Sequence, residues 1–83
     1  MNIEELKNLE AAKLIDARGT ACPGPLLAVK QAIADVSSGG VMKVLSSDPG
    51  TKRDVPRWAN KQGHEYLGDF EEDGYFTIFL KKS

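Results

Sequence analysis

The chain has 83 residues, of which 41% are hydrophobic and 28% are charged, with 11 Lys plus Arg against 12 Asp plus Glu. This length predicts one small domain over residues 1–83, and the charge balance disfavours a nucleic-acid binder, which needs a basic excess. No apolar run reaches membrane-spanning length, and the N-terminus lacks the features of a signal peptide. The single cysteine, Cys22, fits a reducing compartment, so we expect a cytoplasmic protein with no membrane partner.

The predicted elements begin with a polar lead-in, residues 1–12, whose apolar residues recur at every third position. The sequence leaves open whether this lead-in is a helical turn or a frayed segment. A first strand is predicted over residues 13–17, ended by Gly19, and a first helix begins near Pro23. Apolar residues recur along that helix at spacings of three and four, which predicts one buried stripe. They are Leu26, Val29, Ile33 and Val36.

A second strand is predicted over residues 41–47, followed by the turn sequence Asp48-Pro49-Gly50 and a second helix. Residues 51–54 resemble a capping box with Asp in place of Glu. Because Pro56 must lie in the first turns of the helix, its regular part can begin as late as Asp54. Two final strands, residues 64–70 and 75–80, are joined by an Asp-Gly turn and predict a hairpin.

The order of these elements predicts the fold class. A strand–helix–strand unit requires a right-handed crossover and a parallel pair of strands, and the closing hairpin adds an antiparallel pair. Two helices can cover only one face of a sheet of this size. We therefore expect an α+β fold, a two-layer α/β sandwich of order β-α-β-α-β-β with a four-stranded mixed sheet and two helices on one face.

Alternation along the last strand predicts which of its side chains are buried. Phe76, Ile78 and Leu80 form the more uniformly apolar set and are expected to face the helices. Tyr75 and Phe79 are then expected to line the uncovered face, where exposed aromatic side chains would suggest association with a partner or another copy. The alternative is that the N-terminal segment folds over them.

Cys22 lies where the first strand gives way to the first helix, and this position is the strongest functional signal in the sequence. Unpaired backbone N–H groups and the positive end of the helix dipole favour a thiolate there. Pro23 and Pro25 stiffen the turn and remove two N–H donors, which predicts rigid positioning more than strong activation. Arg18, four residues earlier, could add a cation nearby.

No catalytic partner for Cys22 is evident in the sequence. His64 is the only histidine, and its place at the start of a predicted strand favours a surface or capping role. The chain has no Cys-x-x-Cys pair, glycine-rich phosphate loop or His/carboxylate metal set, so we expect no cofactor and no metal. A nucleophile without a base or cofactor suggests a carrier that other proteins load and empty.

Two segments carry a family resemblance. Residues 16–25 read Asp-Ala-Arg-Gly-Thr-Ala-Cys-Pro-Gly-Pro, and residues 54–58 read Asp-Val-Pro-Arg-Trp. They resemble the Gly-x-x-Cys-Pro-x-Pro signature and the Asp-(Ile/Val)-Pro-x-aromatic segment of the TusA family of sulfur carrier proteins, also called SirA-like. Thr20 and Gly24 depart from the leucine and the larger residue that most members carry. The resemblance covers residues 13–81 and implies the same order of strands and helices.

By this resemblance the protein is a sulfurtransferase of the carrier type. Cys22 accepts a sulfane sulfur, becomes a persulfide, and passes the terminal sulfur to an acceptor cysteine. The implied partners are a sulfur-donor protein, either a cysteine desulfurase or rhodanese-like, and a cysteine-bearing acceptor protein. The pathways that such carriers serve are tRNA thiolation, cofactor sulfuration and dissimilatory sulfur metabolism.

Further residues are expected to assist Cys22. Those that support the cysteine motif are Asp16, Arg18, Gly19, Pro23 and Pro25. The partner-docking candidates are Arg18, Lys52, Arg53 and Asp54, because loops that follow parallel strands emerge at the same edge of a sheet. The sequence leaves open whether Asp16 binds backbone N–H groups, pairs with Arg18 or is a plain strand-end carboxylate.

Two alternatives to a carrier remain at this point. One is a non-catalytic protein-interaction module in which Cys22 is structural. The other is an RNA-binding regulatory module, because the order of strands and helices also resembles the C-terminal domain of translation initiation factor three. The acidic balance of the chain counts against the second, and no stable nucleic-acid binding is expected.

Overall fold

The computed structural model describes residues 3–19 and 24–83, apart from the side chains of Ile3 and Pro25. The elements in chain order are α1 (Ile3–Lys7), β1 (Lys13–Asp16), α2 (Gly24–Ala32), β2 (Val41–Ser46), α3 (Pro49–Lys61), β3 (Glu65–Glu72) and β4 (Tyr75–Lys81). A short 3₁₀ turn, Ile33–Asp35, follows α2. The predicted order of strands and helices is confirmed, and α1 shows that the polar lead-in contains a helical turn.

The described strands form one mixed sheet in the order β1-β2-β4-β3. β1 runs parallel to β2, with Asp16 opposite Leu45, and β4 runs antiparallel to both β2 and β3. Ser46 at the end of β2 lies opposite Phe76 near the start of β4. The ends of β1 and β2 and the start of β4 therefore share one edge of the sheet, which we call the Ser47 edge after the residue that follows β2.

Helices α2 and α3 pack on one face of the sheet, over the main hydrophobic core. Its buried members come from both helices, the 3₁₀ turn region and the two central strands. They are Val29, Ala32, Val36, Met42, Val44, Val55, Ala59, Ile78 and Leu80. Leu26, Ile33 and Trp58 are partly buried against this cluster. The predicted apolar stripe of the first helix is thus confirmed.

Helix α3 begins at Pro49, earlier than the sequence predicted, and Asp48 is its N-cap residue. The Asp48 carboxylate accepts the backbone N–H of Gly50 at 2.8 Å. Thr51 is fully buried, and its hydroxyl accepts a hydrogen bond from Ser46 Oγ at 2.9 Å. The predicted capping box at residues 51–54 is wrong, because Asp48 with proline in the first helical turn already caps the helix.

The opposite face of the sheet is partly covered by α1. Leu6 is 1% exposed and packs on β3 at Gly68, where an added Cβ would lie 2.9 Å from Leu6 Cδ1. Gly68 lies opposite Phe79, which is also 1% exposed and contacts the ring of Phe70 at a centroid distance of 6.1 Å. The expectation that Phe79 lines an open face is wrong, because the N-terminal segment covers this region. Tyr75 remains half-buried.

The predicted α+β class is confirmed, with a four-stranded mixed sheet and the two longer helices on one face. α1 adds a third helix on the other face. Across residues 3–19 and 24–83, every helix is too short or too polar to span a membrane.

Candidate functional site

Cys22 and Pro23 lie outside the described residues, as do Thr20 and Ala21. The predictions that fall on them, an accessible thiol and a stiff proline turn, therefore remain predictions from the sequence. Residues 20–23 are called the cysteine segment below. The described residues on either side of this segment are Gly19, in the loop after β1, and Gly24, the first residue of α2. The predicted passage from strand to helix is confirmed on both sides of it.

A hydrogen bond joins the loops after β1 and β2 directly before the cysteine segment. The backbone N–H of Gly19 donates to Ser47 Oγ at 2.8 Å. Gly19 has a φ of 80°, in the left-handed region that glycine adopts without steric cost. Ser47 was not among the predicted site residues, because its contact is made with a residue 28 positions away and leaves no local pattern.

Arg18 and Asp16 form a bidentate ion pair at the end of β1. Arg18 Nε donates to Asp16 Oδ1 at 2.9 Å, and Arg18 Nη2 donates to Oδ2 at 2.8 Å. The backbone N–H of Arg18 also donates to Oδ1, at 3.2 Å. These hydrogen bonds lower the pKa of Asp16 from 3.8 to about 2, and they raise the pKa of Arg18 above its usual value. Of the three roles left open for Asp16, backbone binding and pairing with Arg18 are both observed.

Tyr75 completes the surroundings of Arg18. The guanidinium carbon of Arg18 lies 4.8 Å from the centre of the Tyr75 ring, a distance at which a cation is attracted to an aromatic face. Tyr75 is the first residue of β4, and β2 separates β4 from β1. Arg18 therefore links the loop after β1 to a strand that is not its neighbour in the sheet.

Two of the three predicted docking cations, Lys52 and Arg53, lie in the first turns of α3 and have carboxylate partners. Lys52 Nζ lies 3.7 Å from Asp69 Oδ1 on β3 and 5.5 Å from the centre of the Phe76 ring. Arg53 Nε lies 3.4 Å from Asp54 Oδ1, its neighbour in the same helix. The ion pair of Lys52 links α3 to β3 at an aspartate whose side chain is 14% exposed, although the Lys52 side chain is itself 51% exposed. The Arg53 side chain is 65% exposed.

Ser46 organises the start of α3 from inside the structure. It is fully buried, donates to Thr51 Oγ1 at 2.9 Å, and accepts the backbone N–H of Asp48 at 3.1 Å. Ser46 thus binds the start of α3, and the next residue, Ser47, binds Gly19 in the loop after β1. As predicted, the loops that follow β1 and β2 lie at the same edge of the sheet.

His64 lies at the other end of the sheet. Its backbone N–H donates to the carbonyl of Ala59, in the last turn of α3, at 2.8 Å. Its Nδ1 accepts the backbone N–H of Ser83 at 3.2 Å, and its ring centre lies 5.4 Å from that of Trp58. These contacts agree with the capping role expected from the sequence. In the described ranges 3–19 and 24–83, His, Asp and Glu side chains form no group of three that could hold a metal ion.

Comparison with known proteins gives one family for the part of the chain that runs from β1 to the end of β4. The chain matches the family model described as Sulfurtransferase TusA over residues 13–82. It is 34% identical over 79 residues to the sulfur carrier protein TusA of Pseudomonas savastanoi pv. phaseolicola, covering 95% of this chain and 94% of that protein. It is 42% identical over 69 residues to a putative sulfur carrier protein of Archaeoglobus fulgidus, covering 83% and 94% respectively.

The fold is also similar to a solved structure. The crystal structure of a SirA-like protein from Desulfitobacterium hafniense superimposes with a TM-score of 0.75 at 28% sequence identity, covering 83% of this chain and 95% of that one. The names of these relatives support sulfur transfer as the general activity. Because the family model spans β1 through β4, including Cys22 and both segments on which the resemblance rests, the chain belongs to the Sulfurtransferase TusA family.

Proposed function

We propose that this protein is a sulfur carrier that holds a sulfane sulfur as a persulfide on Cys22. The observation that carries the proposal is the family match over residues 13–82, in a chain whose single cysteine lies between β1 and α2. Since the chain has no second cysteine, it cannot complete a thiol–disulfide cycle alone. The sulfur must therefore arrive from one molecule and leave to another.

Each step of the proposed transfer is a substitution at sulfur. In loading, the Cys22 thiolate attacks the terminal sulfur of a donor persulfide, a new S–S bond forms, and the donor leaves as a thiolate. In unloading, an acceptor thiolate attacks the terminal sulfur on Cys22, and the Cys22 thiolate leaves. Neither step has a net change of oxidation state, so the relay needs no cofactor on this chain.

The proposed donor is a cysteine desulfurase or a rhodanese-like protein, and the acceptor is a protein that bears a reactive cysteine. The identity of the acceptor decides which pathway the carrier serves: tRNA thiolation, cofactor sulfuration or dissimilatory sulfur metabolism. A single unpaired cysteine that cycles between thiol and persulfide requires a reducing compartment, so we place the protein in the cytoplasm. We also propose that residues 1–83 act as one domain.

We propose that partners dock at the Ser47 edge, near Arg18 and the first turn of α3. Arg53 is the best placed of the docking candidates, because its side chain is 65% exposed and its carboxylate partner Asp54 lies in the same helix. A partner carboxylate can compete for such an exposed pair at little cost, since surface ion pairs contribute about 0–1 kcal/mol. Lys52 contributes less, because it is also bound to β3 through Asp69.

Mass spectrometry tests the carrier role directly. Incubation with a cysteine desulfurase and cysteine, or with thiosulfate, should add about 32 Da, one sulfur atom, to the peptide that contains Cys22. The adduct should disappear on reduction and should be absent from Cys22→Ser, which we expect to fold normally. No adduct on the parent protein, with the desulfurase shown to be active, would contradict the proposal.

Alkylation separates the carrier from the alternative of a structural Cys22. A carrier requires that iodoacetamide modify the native protein about as fast as the protein unfolded in urea. A thiol that reacts only after unfolding would be a core residue, and the interaction-module hypothesis would then replace the carrier. Binding to RNA in a salt-titrated shift assay would support the other alternative, and we expect none at physiological salt.

A further inference from the structure

The side chain of Arg18 is held on two sides. Asp16 binds the guanidinium through two nitrogens, at 2.9 and 2.8 Å, and also accepts the Arg18 backbone N–H at 3.2 Å. The Tyr75 ring lies against the guanidinium at 4.8 Å. One carboxylate thus binds both the guanidinium and the backbone N–H of Arg18, and the aromatic contact connects the same residue to β4.

The next residue is fixed as well. Gly19 donates its backbone N–H to Ser47 Oγ at 2.8 Å, so the last two described residues before the cysteine segment both have bound amides. Gly19 adopts a φ of 80°, which turns the chain at this point. The chain at Arg18 and Gly19, the last described residues before the cysteine segment, is therefore bound by contacts from β1, from β4 and from Ser47, which follows β2.

The ion pair with Asp16 also limits the electrostatic effect that Arg18 can have on a thiolate. Its partner Asp16 has a pKa of about 2 and is ionised at neutral pH, and its oxygens lie within hydrogen-bond distance of the guanidinium. Opposite charges at this separation present little net charge to a third group several ångströms away in water. A cation that activates a thiolate is expected to face the sulfur and not to be paired with a carboxylate.

Building on the proposed function, we propose that Arg18 is a positioning residue for Cys22. Together with Asp16, Tyr75 and Ser47 it holds the chain at Gly19, three residues before Cys22 in the sequence. It does not act as the cation that stabilises the thiolate. This assignment replaces the idea, suggested by sequence spacing alone, that Arg18 supplies charge to the sulfur.

Two substitutions separate positioning from charge. Arg18→Gln removes both the ion pair and the cation, whereas Asp16→Asn breaks the ion pair and leaves the cation free. Three readouts apply to each variant: amide hydrogen exchange at Gly19 by NMR, the pH profile of Cys22 alkylation by iodoacetamide, and the rate of sulfur loading from a cysteine desulfurase with cysteine. Lys43→Gln is the matched control, because it removes another cation that lies over an aromatic ring, at 5.8 Å from the Phe79 centroid.

If Arg18 positions the chain, both variants should speed amide exchange at Gly19 by about fivefold or more, although its own acceptor Ser47 is unchanged. Arg18→Gln should leave the alkylation rate at neutral pH within about twofold of the parent. Both variants should slow sulfur loading by similar factors. Lys43→Gln should change none of the three readouts.

The proposal would be overturned if Arg18→Gln and Asp16→Asn shifted the pH profile of Cys22 alkylation in opposite directions. If Arg18 activates the thiolate, Arg18→Gln shifts the alkylation profile to higher pH, while Asp16→Asn, with a freed cation, shifts it lower and speeds loading. Unchanged exchange at Gly19 in both variants would equally refute a positioning role. Failure of the parent to load sulfur would instead refute the proposed function, and exchange and alkylation would still test the role of Arg18.

Discussion

Substitutions at the contact between Leu6 and Gly68 measure how much the packing of α1 on the second face of the sheet contributes to the free energy of unfolding. Leu6 is 1% exposed in a helix of five residues, so Leu6→Ala removes the main described attachment of α1. Buried Leu→Ala changes cost about 2–5 kcal/mol. We expect about 2 kcal/mol here, because so short a helix has little stability of its own and can detach, which relaxes the cavity. That is a large part of the roughly 4–12 kcal/mol expected for a chain of this length.

Gly68→Ala perturbs the same contact from the other side. Gly68 has a φ of 151°, and an added Cβ would lie 2.9 Å from Leu6 Cδ1 and 3.2 Å from Cδ2. The substitution should cost about 1–3 kcal/mol from backbone strain, plus about 1 kcal/mol from displacing Leu6. In the double variant the second cost disappears, because the methyl groups of Leu6 are no longer there. The two changes should therefore be less than additive by about 1 kcal/mol.

Urea unfolding followed by the fluorescence of Trp58 measures these free energies by linear extrapolation. Gly74→Ala is the matched control, since Gly74 also has a positive φ, 85°, but an added Cβ would meet no atom within 4 Å. It should cost backbone strain alone and be additive with Leu6→Ala. If the costs of Gly68→Ala and Leu6→Ala add to within about 0.5 kcal/mol, glycine is not needed at position 68 to make room for the side chain of Leu6.

Three further changes follow from the structure. Lys52→Glu should lower the free energy of unfolding by about 1 kcal/mol, because it places a second carboxylate beside the largely buried aspartate on β3, whereas Arg53→Glu should change it by less than about 0.5 kcal/mol. Equal losses in thermal unfolding would contradict this difference. Since the pKa of Asp16 is lowered from 3.8 to about 2, the stabilisation from its pairing with Arg18 should be fully present above about pH 4 and be lost toward pH 2. NMR titration of the carboxyl should show a return toward the ordinary pKa in Arg18→Gln, and no return would mean that another group lowers it. Ile78→Ala, at a fully buried position, should cost about 2–5 kcal/mol in urea unfolding, and a loss below about 1 kcal/mol would place Ile78 outside the core.

The order of strands and helices could be predicted because it is recorded in local patterns. Alternation with a period of two and apolar spacing of three to four residues depend on neighbours along the chain, and each strand was predicted to within two residues at its ends. The start of α3 was mispredicted because Asp48 and Thr51 both suit a helix N-cap. Burial decided between them, since the Thr51 hydroxyl binds Ser46 in the interior.

Contacts between distant residues explain what the sequence did not predict. The burial of Phe79 depends on α1, whose helical pattern is too short to identify and whose partner Gly68 lies near the other end of the chain. At the candidate site, the pairing of Asp16 with Arg18 was among the stated possibilities because the two are near neighbours. Ser47 was missed, since a serine after a strand is compatible with many roles.

The course of β4 has a practical consequence for handling the protein. Its seven residues, Tyr75–Lys81, span about 20 Å from the Ser47 edge to the opposite edge of the sheet. There Lys82 is anchored in both directions, donating to the Gly40 carbonyl at 2.9 Å and accepting the Gly39 N–H at 2.7 Å. A fluorophore, affinity handle or solid support joined behind Ser83 would thus be held at the far side of the sheet, and an immobilised molecule would still offer the Ser47 edge to proteins in solution.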